Sequence, residues 1–237
     1  AALCMLPWAL RAPRKAWRDG ALLGALVLFS YVAQAYGLQF ISSNRSAFLT
    51  SLNVLMVPLL GVVFGNSLSW RVVLAALLAC LGIGLMSWDG GANLLADAAT
   101  VAGALGYALY VIVLSARAAR HDARSLAATQ IVWMAMLGGL WMLADALGTD
   151  RLHTLGSRLN AEILWGLAYL GVVATAAMLF LQARAQRHVS ADKAALIYAM
   201  EPVFAALFAW VWLAEGLSLH AAIGAGVVVF AVLFGEW

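Results

Sequence analysis

Eight stretches of this chain are each apolar over nearly the length needed to cross a lipid bilayer, and that pattern restricts the fold more than any other feature. A hydrocarbon core about 30 Å thick takes about 20 helical residues, within a range of roughly 17–25. Residues 21–40, 47–65, 72–88, 99–116, 126–147, 163–181 and 194–214 meet that length, and residues 219–234 form a shorter eighth span. The first ten residues, AALCMLPWAL, read as the tail of one more. Composition agrees: 65% of the 237 residues are hydrophobic, 11% are charged and the mean hydropathy is +0.93. A soluble domain carries roughly 25% charged residues, so lipid must be the solvent for the apolar surplus. The expectation is an all-α polytopic membrane protein. The chain opens with Ala1 inside an apolar stretch rather than with a charged leader, which suggests that the native N-terminus lies upstream.

The bases set an orientation. Alternate loops hold Arg11, Arg14, Lys15 and Arg18, then Arg71, then Arg117, Arg120 and Arg124, then Arg184, Arg187 and Lys193, eleven of the fourteen bases. The other set holds only Arg45, Arg151 and Arg158. The positive-inside rule puts the first set, and with it the C-terminus, in the cytoplasm. Trp17, Trp70, Trp88 and Trp237 fall near span ends, where an indole prefers the headgroup layer.

The two parts of the chain resemble each other. Gln39, Ser43, Ala47 and Leu49 match Gln186, Ser190, Ala194 and Leu196 at an offset of 147, and the stretch from Asn66 to Ser69 matches that from Glu215 to Ser218 at an offset of 149. The first copy of the Gln-to-Leu loop faces outside and the second inside. Five helices per unit, an odd number, forces the second unit to insert upside down. Inverted repeats are recurrent in secondary transporters, with the substrate near the midplane between them. Residues 1–88 are then a first repeat lacking its first helix and most of its second, and residues 89–237 a complete second one. The native protein is expected to have ten helices, and a chain lacking one and a half of them is expected not to transport.

The segment ADKAALIYAMEPVFAAL from Ala191, with Ala-Glu-Gly-Leu-Ser from Ala214 and Ile-Gly-Ala-Gly from Ile223, resembles the closing helices of EamA-type permeases of the drug/metabolite transporter superfamily. AFLTSLNVLMVP from Ala47 is similar to the matching helix of the first repeat. The resemblance implies a ten-helix fold with a central cavity and alternating access, usually exporting metabolites. Asn66 departs from it, standing where the family often has an acid matching Glu215.

Glu201 is the sharpest candidate for function, seven residues into a span that starts at the cytoplasmic face, at a depth of about 10 Å for a rise of about 1.5 Å per residue. A charge at the centre of a membrane helix costs at least about 2.5–3.5 kcal/mol, so such a residue usually faces a cavity or a partner; the alternative role is anchoring helix packing. Pro202 removes the hydrogen bond to the Tyr198 carbonyl, and Pro58 does the same to that of Val54 in the other repeat, which makes both helix-break candidates. Polar and aromatic residues recur at helical spacing: Tyr31 and Gln34; Thr50 and Asn53; Tyr107 and Tyr110; Gln130, Trp133 and Trp141; Thr175, Met178 and Gln182; Tyr198 and Glu201. Each set could be interhelical glue; together they suggest one cavity. The spans at 72–88 and 219–234 carry Ala75, Ala79, Gly82, Ala221 and Ala225 instead, which assigns them to scaffold or to homodimer contact.

Other chemistry lacks support. His121, His153, His188 and His220 are never paired at i, i+4, and Cys4 and Cys80 show no ligand spacing, so no metal site is expected. No cofactor motif or acid–base set suggests an enzyme. The bases are not grouped with aromatics as a nucleic-acid surface would be. The reading is a permease, an exporter of small organic metabolites or drugs, with a small-molecule substrate and the lipid bilayer as partners. Abundant Ala and Arg are compatible with a GC-rich bacterial genome, hence an inner-membrane location. The rival is a membrane protein that binds a ligand, or serves a structural role, without transporting. For the topology, single cysteines within residues 11–18, 117–124 and 184–193 should resist an impermeant thiol reagent added outside intact cells; ready labelling of all three loops would overturn it.

Overall fold

The computed structural model describes residues 1–63, 65, 69–87, 93–149, 160–212 and 218–236, and every regular element among them is helical. In chain order these are α1 (Ala2–Leu10), α2 (Arg14–Gly37), α3 (Ser43–Ser51), α4 (Asn53–Val63), α5 (Trp70–Ser87), α6 (Leu94–Ala118) and α7 (Ala123–Thr149). There follow α8 (Ala161–Tyr169), a π-helical segment (Leu170–Ala177), α9 (Met178–Ala185), α10 (Ala191–Tyr198), α11 (Glu201–Trp212) and α12 (Leu219–Glu236). Six stretches have the length and hydropathy to cross a membrane: Arg14–Gly37, Ser43–Val63, Leu94–Ala118, Ala123–Ala144, Ala161–Ala185 and Ala191–Trp212. Trp70–Met86 and Leu219–Gly235 are shorter apolar helices. The protein is a multi-pass membrane protein, and the spans fall where the sequence put them. Asn66, Trp88, Arg151, His153, Arg158, Glu215 and Trp237 lie outside the described residues.

The chain divides into two compact units, each drawing helices from both ends of the sequence. The first comprises Ala1–Leu28 and Leu114–His188. Here α1 packs on α7, and the first half of α2 lies against α7 through Gly20 and Gly24, whose faces meet Thr129, Gln130 and Trp133. The Thr129 hydroxyl lies 3.0 Å from the Ala16 carbonyl, and the Trp133 indole N–H donates to the Trp17 carbonyl at 3.0 Å. Trp17 in turn donates to the Ala9 carbonyl at 3.2 Å, tying α1 to the same seam. At one end of α2, Asp19 is paired with Arg117 and lies 2.7 Å from His121 Nε2. Lone pairs and protons that hydrocarbon cannot satisfy are thus consumed within the unit.

The second unit comprises Phe29–Val113 and Val189–Trp237. Its most extensive helix pair is α5 with α12. Between these helices Val72, Ala75, Ala76, Ala79, Ile83, Val228 and Ala231 are buried, joined by Val54 and Leu196. Small residues let the two backbones approach: a methyl placed on Gly82 would lie 2.7 Å from the Gly224 carbonyl oxygen, and one on Gly224 would lie 2.5 Å from that of Gly82. Ala75, Ala79 and Gly82 act as the sequence suggests, as scaffold. On α12 the contact face is Gly224, Val228 and Ala231 rather than Ala221 and Ala225, a rotation of one helical position. At the other end of the pair, Trp70 and Phe234 meet edge to face at 6.3 Å.

Helix association in lipid depends on such close approach, because apolar burial between helices brings little over lipid contact. Gly82→Ala and Gly224→Ala should therefore each lower stability in detergent by about 1–3 kcal/mol, the usual cost of overpacking. Gly226→Ala, where an added methyl meets no atom within 4 Å, should leave the thermal unfolding midpoint unchanged or raised. Equal midpoints for all three variants would refute the close-packed seam.

Candidate functional site

Two membrane helices of the second unit are broken, and the breaks correspond. The span holding α3 and α4 is interrupted at Leu52, and that holding α10 and α11 at Ala199 and Met200. Leu52 and Ala199 stand 147 positions apart, the same offset as Gln39 and Gln186. The causes differ. Pro202 has no N–H for the Tyr198 carbonyl, and Met200 donates instead to Ile197 at 3.0 Å in a tightened turn. At the first break no proline is present. Thr50 donates its hydroxyl to the Ser46 carbonyl at 2.8 Å, Ser51 to that of Phe48 at 2.6 Å, and the Asn53 amide to that of Thr50 at 2.8 Å. Side chains that compete for backbone carbonyls in this way bend helices. Cys80 of α5 adds its thiol to the Ser51 carbonyl at 3.8 Å. Of the two helix-break candidates, Pro202 sits at a break. Pro58 does not: α4 runs through it, buried, six residues beyond Leu52.

Both breaks open onto one cavity of about 500 Å³ within this unit. Gln34, Thr50, Asn53, Tyr107, Tyr198, Glu201 and Pro202 line it, so seven of the sequence candidates come together there. Asn44, Ser51, Trp210 and Ser218 also line it and escaped the sequence analysis. A signal existed for three of them. Asn44, Ala47 and Ser51 recur at spacings of three and four, and Trp210 stands eight residues, two turns, beyond Pro202. The α5 and α12 helices contribute Met86 and Ala221, which corrects the expectation that these two present no cavity face.

One charged group lies among the described lining residues, the acid Glu201. Glu201 opens α11 and is exposed to the cavity, with no hydrogen bond or ion pair to another described residue. Asn53 opens α4, is 7% exposed, and has an Oδ1 atom without a partner. Its orientation is fixed because the Thr50 carbonyl requires the amide's donor end. Tyr107 packs between Tyr110 and Tyr198, with ring centroids at 5.7 and 6.5 Å. No Lys, Arg, His or Asp is among the described lining residues. Arg45, next to Asn44 in the chain, is held in a two-pronged pair with Asp97, both bonds at 2.7 Å.

The remaining candidates lie elsewhere. Tyr31 is half-buried on α2 within electrostatic reach of Glu201, and Tyr110 is fully buried behind Tyr107. Gln130, Trp133 and Thr175 belong to the first unit. There Trp133 is engaged with Trp17, and Thr175 donates to the Leu170 carbonyl at 2.8 Å inside the π-helical segment. Gln130 is fully buried, and neither carboxamide atom has a partner among the described residues.

The profile of the EamA-like transporter family matches residues 1–88 and 94–235. A protein of Archaeoglobus fulgidus named an uncharacterised transporter is 26% identical over 223 residues, which is 92% of this chain and 69% of that protein. One solved crystal structure superposes with a TM-score of 0.72 at 19% identity, covering 95% of this chain and 77% of its own, a likeness of fold alone.

The Arg45–Asp97 pair gives a test of the cavity's flank. Removing one member of a mostly buried ion pair strands the other, whereas replacing both with apolar residues does not. Asp97→Leu and Arg45→Met should each lower the melting temperature of the detergent-solubilised protein, and the double variant should melt above either. Additive losses would sink the pairing.

Proposed function

Because the chain belongs to the EamA-like transporter family, we propose that it is a secondary transporter exporting small organic metabolites or drugs by alternating access across the inner membrane of a bacterium. The observation that carries this reading is the pair of helix interruptions, 147 positions apart, facing one cavity. Irregular backbone at membrane depth is tolerated only where it lines a cavity or is buried in protein, and broken helices at corresponding places of two halves mark the substrate site of many transporters. The named relative supports the same class.

In this reading residues 1–88 and 89–237 are inverted repeats of a ten-helix native protein with a cytoplasmic C-terminus. The two matched stretches of the family profile and the recurrence of the 147 offset support that division. The substrate is a small molecule, the surroundings are lipid, and nucleic acid has no role. The family assignment and the paired breaks favour transport over a protein that only binds.

A cavity-filling variant separates the two. Ala206 lines the cavity and is half-buried, so Ala206→Trp fills it from the wall. In cells producing the native protein, at least one small organic solute should accumulate in the medium, and Ala206→Trp should abolish that accumulation while eluting from gel filtration like the parent. If no solute differs between native and blocked protein across an untargeted profile of the medium, the transport reading fails.

A further inference from the structure

The one charged group among the described residues that line the cavity is an acid, and that names a ligand class. This inference rests on the reading of the cavity as the substrate site. Glu201 presents a carboxylate with no hydrogen-bond or ion-pair partner among the described residues. An ionised carboxylate only accepts hydrogen bonds. A charge in a low-dielectric wall is costly unless something of opposite sign meets it. No described lining residue supplies such a cation, and Arg45 is engaged by Asp97.

The rest of the wall suits the remainder of such a ligand. Tyr107, Tyr198 and Trp210 offer aromatic surface, whose faces attract a cation and also accept hydrocarbon. A volume of about 500 Å³ holds a molecule of metabolite or drug size. An anion would meet the Glu201 charge with no base among the described lining residues to offset it.

We propose that the cavity selects protonated organic amines, whose ammonium N–H groups donate to Glu201 while the hydrocarbon body lies among Tyr107, Tyr198 and Trp210. Glu201 reads positive charge, which a quaternary ammonium also carries, and accepts from N–H donors, which a quaternary ammonium lacks.

The test is equilibrium binding to the purified native protein in detergent micelles, read by tryptophan fluorescence and calorimetry, with four probes of one shape. These are 2-phenylethylamine, its N,N,N-trimethyl derivative, 2-phenylethanol and 3-phenylpropanoate. The parent protein should bind the amine at least tenfold more tightly than the alcohol or the carboxylate, and more tightly than the trimethyl cation. Glu201→Gln should erase the preference for the amine over the alcohol. Alcohol or carboxylate binding as tightly as amine in the parent would overturn the proposal, as would unchanged amine affinity in a normally melting Glu201→Gln protein. The Ala206→Trp export profile keeps the two readings apart. Cavity-dependent export of a solute without an amine, together with no amine preference, refutes the ligand class and leaves transport standing. Glu201-dependent amine binding without any cavity-dependent export supports the ligand class and refutes transport.

Discussion

Hydrocarbon offers a peptide N–H or C=O no partner, and each unsatisfied group costs several kcal/mol there. That single constraint accounts for the helices and also for the cavity. Where the hydrogen-bond ladder is broken, at Leu52 and at Ala199–Met200, the freed groups need side chains, tightened turns or polar surroundings. Thr50, Ser51, Asn53 and the Cys80 thiol answer part of that need at the first break. The cavity itself, lined by polar and aromatic groups, answers the rest. Broken backbone and cavity are two sides of one requirement.

A break in a membrane helix weakens the element that contains it, so its neighbours must hold it. In the second unit that support comes from α5 and α12, whose glycines bring the backbones into contact and whose seam buries Val54 of α4 and Leu196 of α10. Val54 lies two residues past one break and Leu196 three before the other. The same seam that packs two uninterrupted helices therefore anchors both interrupted ones at their weak points. Met86 and Ala221, at the end of the seam, reach the cavity wall.

The spans were legible in the sequence because run length and hydropathy report directly on what lipid demands. Glu201, Asn53 and Tyr107 were legible because polar and aromatic residues in apolar helices at spacings of three and four have few other places to face. The first break was not. Proline is the familiar mark of a broken helix, and Pro58 drew attention six residues away from Leu52. Its missing N–H is absorbed within α4, while the real interruption is written in Thr50, Ser51 and Asn53, residues equally common as interhelical glue. Nor does spacing separate the faces of a helix finely: Ala221 and Gly224 are three residues apart, yet one lines the cavity and the other meets Gly82. The interleaving of the two ends of the chain in each compact unit is a matter of tertiary contact, which a repeat in sequence does not encode.

The two breaks also differ in what it takes to undo them. At Pro202 the donor is missing from the covalent structure, so no rotation can restore the ladder there. At Leu52 every backbone donor exists, and the competing bonds are made by a hydroxyl, a second hydroxyl and a carboxamide, each released by turning about side-chain torsions. A neutral hydrogen bond exchanged for another changes the free energy by about 1 kcal/mol or less. The α3–α4 break is thus a soft joint and the α10–α11 break a fixed one. They stand on the same cavity, with Asn53 on the first and Glu201 beside the second. One half of the site is held by the chain's covalent structure and the other by interchangeable hydrogen bonds, an asymmetry that near-matching repeats acquire through three side chains and one proline.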